Sequence, residues 1–186
     1  RHLEAAFESF ARLWSSQLTA KIRVRAHLAL ESVDLISYEE YAETLPSTTA
    51  MVTGAFDGRD EPCVVQFALD SALLWVVQMM GGRTTSPPDA RTFTPIELAL
   101  VRNLMDGTFE HLHASLGALL PSEPRYAAVH YNPQYMQVIS AAAAVIVARY
   151  TMRLGDAEST ATVMLPASTV VDRLAASGSD SAAEHT

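Results

Sequence analysis

Leu3, Phe7, Phe10, Ala11, Trp14 and Leu18 recur at steps of three and four, while Glu4, Glu8, Arg12 and Gln17 take the opposite side. That spacing predicts an amphipathic helix. Over 22–33 the period falls to two, with Ile22, Val24, Ala26, Leu28 and Leu30 alternating with Lys21, Arg23, Arg25 and His27. A half-buried strand is expected there, its basic residues turned to solvent. Ser37 ahead of Tyr38-Glu39-Glu40-Tyr41 predicts a short helical turn, Ser37 as N-cap and Glu40 completing a capping box, ended by Leu45-Pro46. The apolar runs 50–56 and 63–69 flank Asp57-Gly58-Arg59-Asp60, which predicts a hairpin. Asp70 or Ser71 then caps a helix through Leu73, Leu74, Val77 and Met80, and Gly81-Gly82 ends it.

Residues 83–91 carry no apolar side chain larger than alanine apart from two prolines, so they read as a linker. Thr94-Pro95-Ile96-Glu97 restarts the chain with a capping box and a proline at the first helical position. The long helix that follows, 94–119, is expected to bury Ile96, Leu100, Leu104, Thr108, Leu112, Leu116 and Leu119 before Pro121 stops it. Strands are expected over 126–131, 142–152 and 160–165. Asn132-Pro133-Gln134-Tyr135 forms a short turn after the first of them, Gly155-Asp156 joins the last two, and a final helix starts near Ser168.

This is the element order of the first half again, with Tyr41 and Tyr135 at equivalent places in the connecting turns. The fold class predicted is α/β: one domain, 1–175, in which helix-strand-strand-strand-helix is repeated about a pseudo-two-fold axis. The sheet is mostly antiparallel, with helices packed on it. Half one is 1–82 and half two 92–175, each unable to cover its own sheet face alone. Residues 176–186 have no large apolar side chain and read as a disordered tail.

Charge and composition narrow the chemistry. Lys and Arg number 13 against 21 Asp and Glu, a net charge of −8, and without a phosphate-neutralising basic surface nucleic-acid binding is not expected. The one cysteine, Cys63, leaves no internal disulfide and no cysteine metal cage, which suits a reducing compartment. No stretch approaches the roughly 20 apolar residues of a membrane span, and no signal peptide is seen, so a cytoplasmic protein is expected. His111 and His113 stand two apart on the long helix and point away from each other, so no metal site is expected. His27 and His130 fall on strand faces as structural histidines. No Gly-x-Ser-x-Gly elbow and no phosphate-cradling Gly-Lys-Ser/Thr occurs, so neither a hydrolase nor a cofactor is expected.

Several strings in this order carry a family resemblance: Phe10-Ala11-Arg12-Leu13 with Ser16-x-Leu18-Thr19; Ser32-Val33, Tyr38-x-Glu40-Tyr41 and Leu45-Pro46-x-Thr48; Gly81-Gly82; Arg91-x-Phe93-Thr94 with Ile96-Glu97; Asn132-Pro133-Gln134-Tyr135; and Gly155-Asp156 with Leu165-Pro166. Together they resemble the middle domain of the FliM family of flagellar motor switch proteins, within the wider CheC/CheX/FliM-like group, over about 7–174.

The resemblance implies a non-enzymatic motor switch (C-ring) component for torque generation and rotation switching in chemotaxis and motility. It would sit at the flagellar basal body on the inner face of the cell membrane. It also implies a FliG-like partner on the glycine loop, which places Gly81, Gly82, Arg83, Thr84 and Arg91 at that contact. Neighbouring copies would meet through the long helices, at Glu8, Arg12, Arg102, Asp106 and Glu110. A FliN-like protein and a phosphorylated response regulator would bind through regions outside this chain, which reads as an excised domain. Two departures stand out: Thr84 replaces the last glycine of the family's loop, and Val77-Gln78 stands where the family has Asp-Arg. The alternative is a CheC-type phosphatase of a phosphorylated response regulator. Those enzymes carry Glu-x-x-Asn, and no glutamate here has Asn three residues on; Glu8 meets Ala11 and Glu97 meets Leu100.

Overall fold

Ile22 belongs to the first helix rather than to the first strand. The computed structural model describes residues 2–82, 89–136 and 138–170, and α1 runs His2–Ile22. Its stripe of Phe7, Phe10, Ala11, Trp14 and Leu18 is completed one turn later by Ile22, fully buried, so the helical period outlasts the point where an alternation of two also fits. Arg23, at φ 63°, breaks the helix. Lys21, Arg23 and Arg25 therefore surround a helix end and a turn instead of lining a strand. Hydroxyls on α1 fix where strand β1 (Ala26–Ser37) begins: Thr19 Oγ1 accepts the Ala26 amide at 2.9 Å and Ser15 Oγ accepts that of Leu28 at 2.9 Å.

Strand β1 leads into α2 (Tyr38–Glu43). Ser37 caps α2 by accepting the Glu40 amide, but the expected reciprocal bond from Glu40 is absent among the described residues. Ser37 is still paired in the sheet with Ala144. Then come β2 (Ala50–Ala55), β3 (Cys63–Phe67), α3 (Leu69–Met79), α4 (Pro95–Leu116), β4 (Arg125–His130), β5 (Ala144–Leu154) and β6 (Ala157–Pro166). Short 3-10 turns occupy Gly117–Leu119 and Pro133–Tyr135, and 167–170 begin a further helical turn.

The six strands form one antiparallel sheet in the order β1-β5-β6-β3-β2-β4. Exchanging β1 with β4, β2 with β5 and β3 with β6 returns the same order, so the repeat read from the sequence is a two-fold relation centred between β3 and β6. Each half also lends its first strand to the other: β1 pairs with β5, and β4 pairs with β2. The connecting turns meet across the axis, where the Tyr38 hydroxyl donates to the Pro133 carbonyl at 2.8 Å.

Alternation along the strands builds two cores. On one face Val52, Val65, Phe67, Ile146, Ala148, Tyr150 and Val163 pack under α1, α3 and α4. On the other, Met51, Val64, Val145, Val147 and Met164 pack under Tyr38, Tyr41 and Ala42 of α2 with Met136 and Ile139. Burying both faces explains why the strands read as nearly unbroken apolar runs.

Three helix details differ from expectation. The N-cap of α3 is Ala68 with no side-chain bond, and Asp70 lies inside the first turn, its carboxylate accepting the Ser71 amide; burial of Leu69 pulls the helix start forward. The buried side of α4 is Val101, Leu104, Met105, Thr108, Phe109, Leu112 and Leu116. Ile96 is 72% exposed and Leu100 and Leu119 only partly buried, because the first turn of α4 carries Ile96 away from the sheet. The helix also stops at Leu116, where Gly117 adopts φ 55°, ahead of Pro121.

Candidate partner-binding surfaces

The glycine pair that the sequence marks out is a helix end. The Gly81 amide donates to the Gln78 carbonyl at 3.0 Å, and the Gly82 amide reaches back to that of Val77 at 2.9 Å. Those two bonds make a Schellman cap on α3, and Gly81, at φ 85°, supplies the left-handed residue the cap requires. Gly82 is needed for another reason: a Cβ there would stand 2.5 Å from Val77 Cγ1 and 3.0 Å from the Val77 carbonyl oxygen. The chain thus enters the linker from a fixed geometry. Arg83 and Thr84, also predicted at this contact, lie outside the described residues.

On the far side of the linker, Arg91 is joined to Glu97 in a two-bond ion pair, Nη1 to Oε1 at 2.6 Å and Nη2 to Oε2 at 2.9 Å. Glu97 also completes the predicted capping box of α4. Its Oε1 accepts the Thr94 amide at 2.8 Å, while Thr94 Oγ1 accepts the Glu97 amide. The Arg91 bond, reinforced by Thr94 and opposed by partial burial, holds the Glu97 carboxyl down at about 2; the same bond raises the exposed Arg91 guanidinium. Phe93 anchors the stretch from below, its ring 6.0 Å from that of Tyr131 and its amide donating to the Tyr131 hydroxyl. Arg91 is therefore a tether for the linker's exit.

Two side chains missed by the sequence analysis flank this linker. Met80 at the C-cap of α3 is 59% exposed, and Ile96 in the first turn of α4 is exposed further. Both were assigned to buried helix faces from spacing alone.

Glu8 and Arg12 on α1, and Arg102, Asp106 and Glu110 on α4, are all exposed. Arg102 is not fully free, since its guanidinium lies 5.0 Å above the Tyr126 ring. The two helices meet where Gln17 of α1 donates to the Leu104 carbonyl and accepts from Thr108. Gly107 permits this approach, because a Cβ there would stand 2.5 Å from Gln17 Nε2.

The site chemistry gives no catalytic arrangement among the described residues. No group of three or more His, Cys, Asp or Glu is placed to hold a metal. Cys63 is buried, which pushes its thiol up to about 12, away from nucleophilic use. Glu97 is consumed by Arg91 and Thr94. Four buried polar side chains form a relay across the two-fold axis: Tyr41 OH to Thr162 Oγ1 at 2.6 Å, Thr162 to Gln66 Oε1 at 2.8 Å, Gln66 Nε2 to Thr49 Oγ1 at 3.0 Å, and Thr49 to the Phe67 carbonyl at 2.9 Å. Because Thr162 gives its proton to Gln66, Tyr41 is the donor of the first bond. The relay joins the halves structurally. No described helix is long and apolar enough to cross a membrane.

Comparison with known proteins bears on the family and the fold. The chain is 23% identical over 168 residues to the flagellar motor switch protein FliM of Bacillus subtilis (strain 168), covering 89% of this chain and 50% of that one. It thus spans about half the length of the curated relatives it matches. Its fold is that of the FliM middle domain from H. pylori, with TM-score 0.81 at 19% identity over 94% of this chain and 95% of that one. The FliM of a FliG-FliM complex from H. pylori is equally similar, with TM-score 0.83 at 19% identity over 92% and 96%. The family described as flagellar motor switch protein FliM matches residues 1–176, a switch-protein family rather than an enzyme family. The chain belongs to the FliM family of flagellar motor switch proteins.

Proposed function

We propose that this middle domain docks a FliG-like partner on the linker between α3 and α4, and meets neighbouring copies of itself through exposed helix surfaces, within a switch assembly at the cytoplasmic side of the flagellar basal body. A FliN-like protein and a phosphorylated response regulator would engage parts of the protein outside this chain. The observation that carries the reading is the construction of the linker's two ends. A Schellman cap launches it, the Arg91–Glu97–Thr94 tether receives it, and Met80 and Ile96 stand exposed on either side. A relative of the same fold solved as a FliG-FliM complex supports the choice of partner.

Binding of a FliG-like middle domain by calorimetry tests it. Met80→Asp and Ile96→Asp, both at exposed positions, should weaken binding by about tenfold or more, the effect of removing a buried apolar anchor, with melting temperature unchanged. A Gly82 variant is the weaker probe, since any side chain there strikes Val77 and damages the end of α3. Unchanged affinity in both aspartate variants would remove the linker from the contact.

A further inference from the structure

On the α2 face of the sheet the apolar rows give way to polar ones. Along β5 the side chains on that face run Val145, Val147, Arg149, Thr151, and along β6 they run Met164, Thr162, Thr160. Where the rows turn polar they floor a cleft of about 300 Å³, lined also by Leu45, Pro46 and Glu31.

The lining carries one acid and one base, and they do not pair. Arg149, partly buried, donates from Nη2 to Thr44 Oγ1 at 3.2 Å. Glu31 accepts the Thr151 hydroxyl on Oε1 at 2.8 Å. Neither has an ion-pair partner among the described residues. Each charge is held by its own threonine, and most of the guanidinium donors and the second carboxylate oxygen are left unused by the protein. Glu31 owes its place to a bulge. The register of β1 on β5 shifts between Leu30 and Ser32, so Glu31 is the extra residue, and such an insertion re-aims a side chain. Thr160, opposite Thr151 in β6, adds an exposed hydroxyl with no hydrogen-bond partner among the described residues.

We infer that this cleft binds a free α-amino acid, its carboxylate on the Arg149 fork, its ammonium group on Glu31 and its side chain against Leu45 and Pro46. A planar guanidinium matches a carboxylate with two parallel bonds. A simple anion in the cleft would face Glu31, and a simple ammonium ion would face Arg149. Only a molecule carrying both charges is favoured by both groups. The volume lies at the lower end of small-molecule pockets, roughly 300–1,000 Å³, which suits one small molecule rather than a partner segment. The cleft is separate from the contact proposed for the linker, because α3 and α4 pack on the opposite face of the sheet; either reading can fail alone.

Two-dimensional NMR titration of the 186-residue chain tests it, with each common L-amino acid and, as separate probes, acetate, methylammonium and inorganic phosphate. At least one amino acid should give saturable shifts at Thr44, Thr160 and the Arg149 side chain, and bind about tenfold or more tightly than acetate or methylammonium. Arg149→Gln should weaken that amino acid and acetate alike. Glu31→Gln should weaken the amino acid by about tenfold without weakening acetate. Arg149→Lys, which keeps the charge and loses the fork, should bind the amino acid less well than wild type. Melting temperatures check folding; if Arg149→Gln does not fold, Glu31→Gln, at an exposed residue, carries the test. Four results each overturn the proposal: no saturable shift with any amino acid up to about 10 mM, acetate bound as tightly as the best amino acid, phosphate bound more tightly than any of them, or wild-type amino-acid affinity in Glu31→Gln.

Discussion

Arg91 and Glu97 are joined by two parallel hydrogen bonds, and the same Glu97 carboxylate accepts the amide of Thr94. One side chain thus fastens the exit of the linker and starts α4. Its carboxyl is held at about 2, below the ordinary 4.5, so its contribution to stability has a definite pH window. A lowered carboxyl stabilises the fold fully above the unfolded value and loses that stabilisation as pH falls toward the folded one. The melting temperature of wild type should exceed that of Glu97→Gln by a constant margin near neutrality, and the margin should shrink from about pH 4.5 to vanish near pH 2. A margin that stays flat through that window would show that the ion pair does not stabilise the native state.

Gly81 and Gly82 should fail differently when replaced. Gly81→Ala puts a Cβ on a left-handed residue with open space around it, a cost of about 1–2 kcal/mol in urea unfolding. Gly82→Ala drives its Cβ against Val77, so the last turn of α3 should lose amide-exchange protection, and adding Val77→Ala should restore part of it. Equal protection in Gly82→Ala and wild type would contradict the crowding.

The relay from Tyr41 to Thr49 predicts non-additivity. Thr162→Val leaves the Tyr41 hydroxyl and the Gln66 carbonyl oxygen without partners in a buried site, at about 1–3 kcal/mol for each unsatisfied group. Tyr41→Phe removes one of those stranded groups. The double variant should therefore be less destabilised than the sum of the singles, by about 1 kcal/mol or more in denaturant melts. Strict additivity would mean that water satisfies the site.

Much of this architecture is legible in the sequence because caps and periods agree. Thr94 through Glu97 announces the start of α4, Gly81-Gly82 announces the end of α3, and the repeated element order gives the two-fold relation. Errors arose where two periods overlap. Ile22 fits both a helical step from Leu18 and an alternation with Val24, and only packing against the sheet selects the first. Ile96 lies on the apolar side of α4 by count, but burial depends on how far the sheet extends beneath the helix, which no local pattern encodes. The candidate contact was legible only as a glycine pair; the role of Arg91 as a tether follows from a side-chain geometry that sequence does not specify. The lending of β1 and β4 between halves was not legible at all, because strand order is a long-range property.

That exchange of strands also sets the order of events during synthesis. The Tyr150 hydroxyl bonds the carbonyl of Phe7, 143 residues earlier, and β1 has no strand partner until β5 has been made. Contacts so distant in sequence carry a large loop-closure cost and slow folding. As the chain emerges, the β2–β3 hairpin can form, but β1 must wait with its edge unpaired until nearly the whole domain is out. A nascent chain halted after α3 would hold an unpaired strand and an uncovered apolar face, the features that recruit chaperones or drive aggregation. For this domain the hazard of assembly lies in the interval between translating Ser37 and translating Leu154.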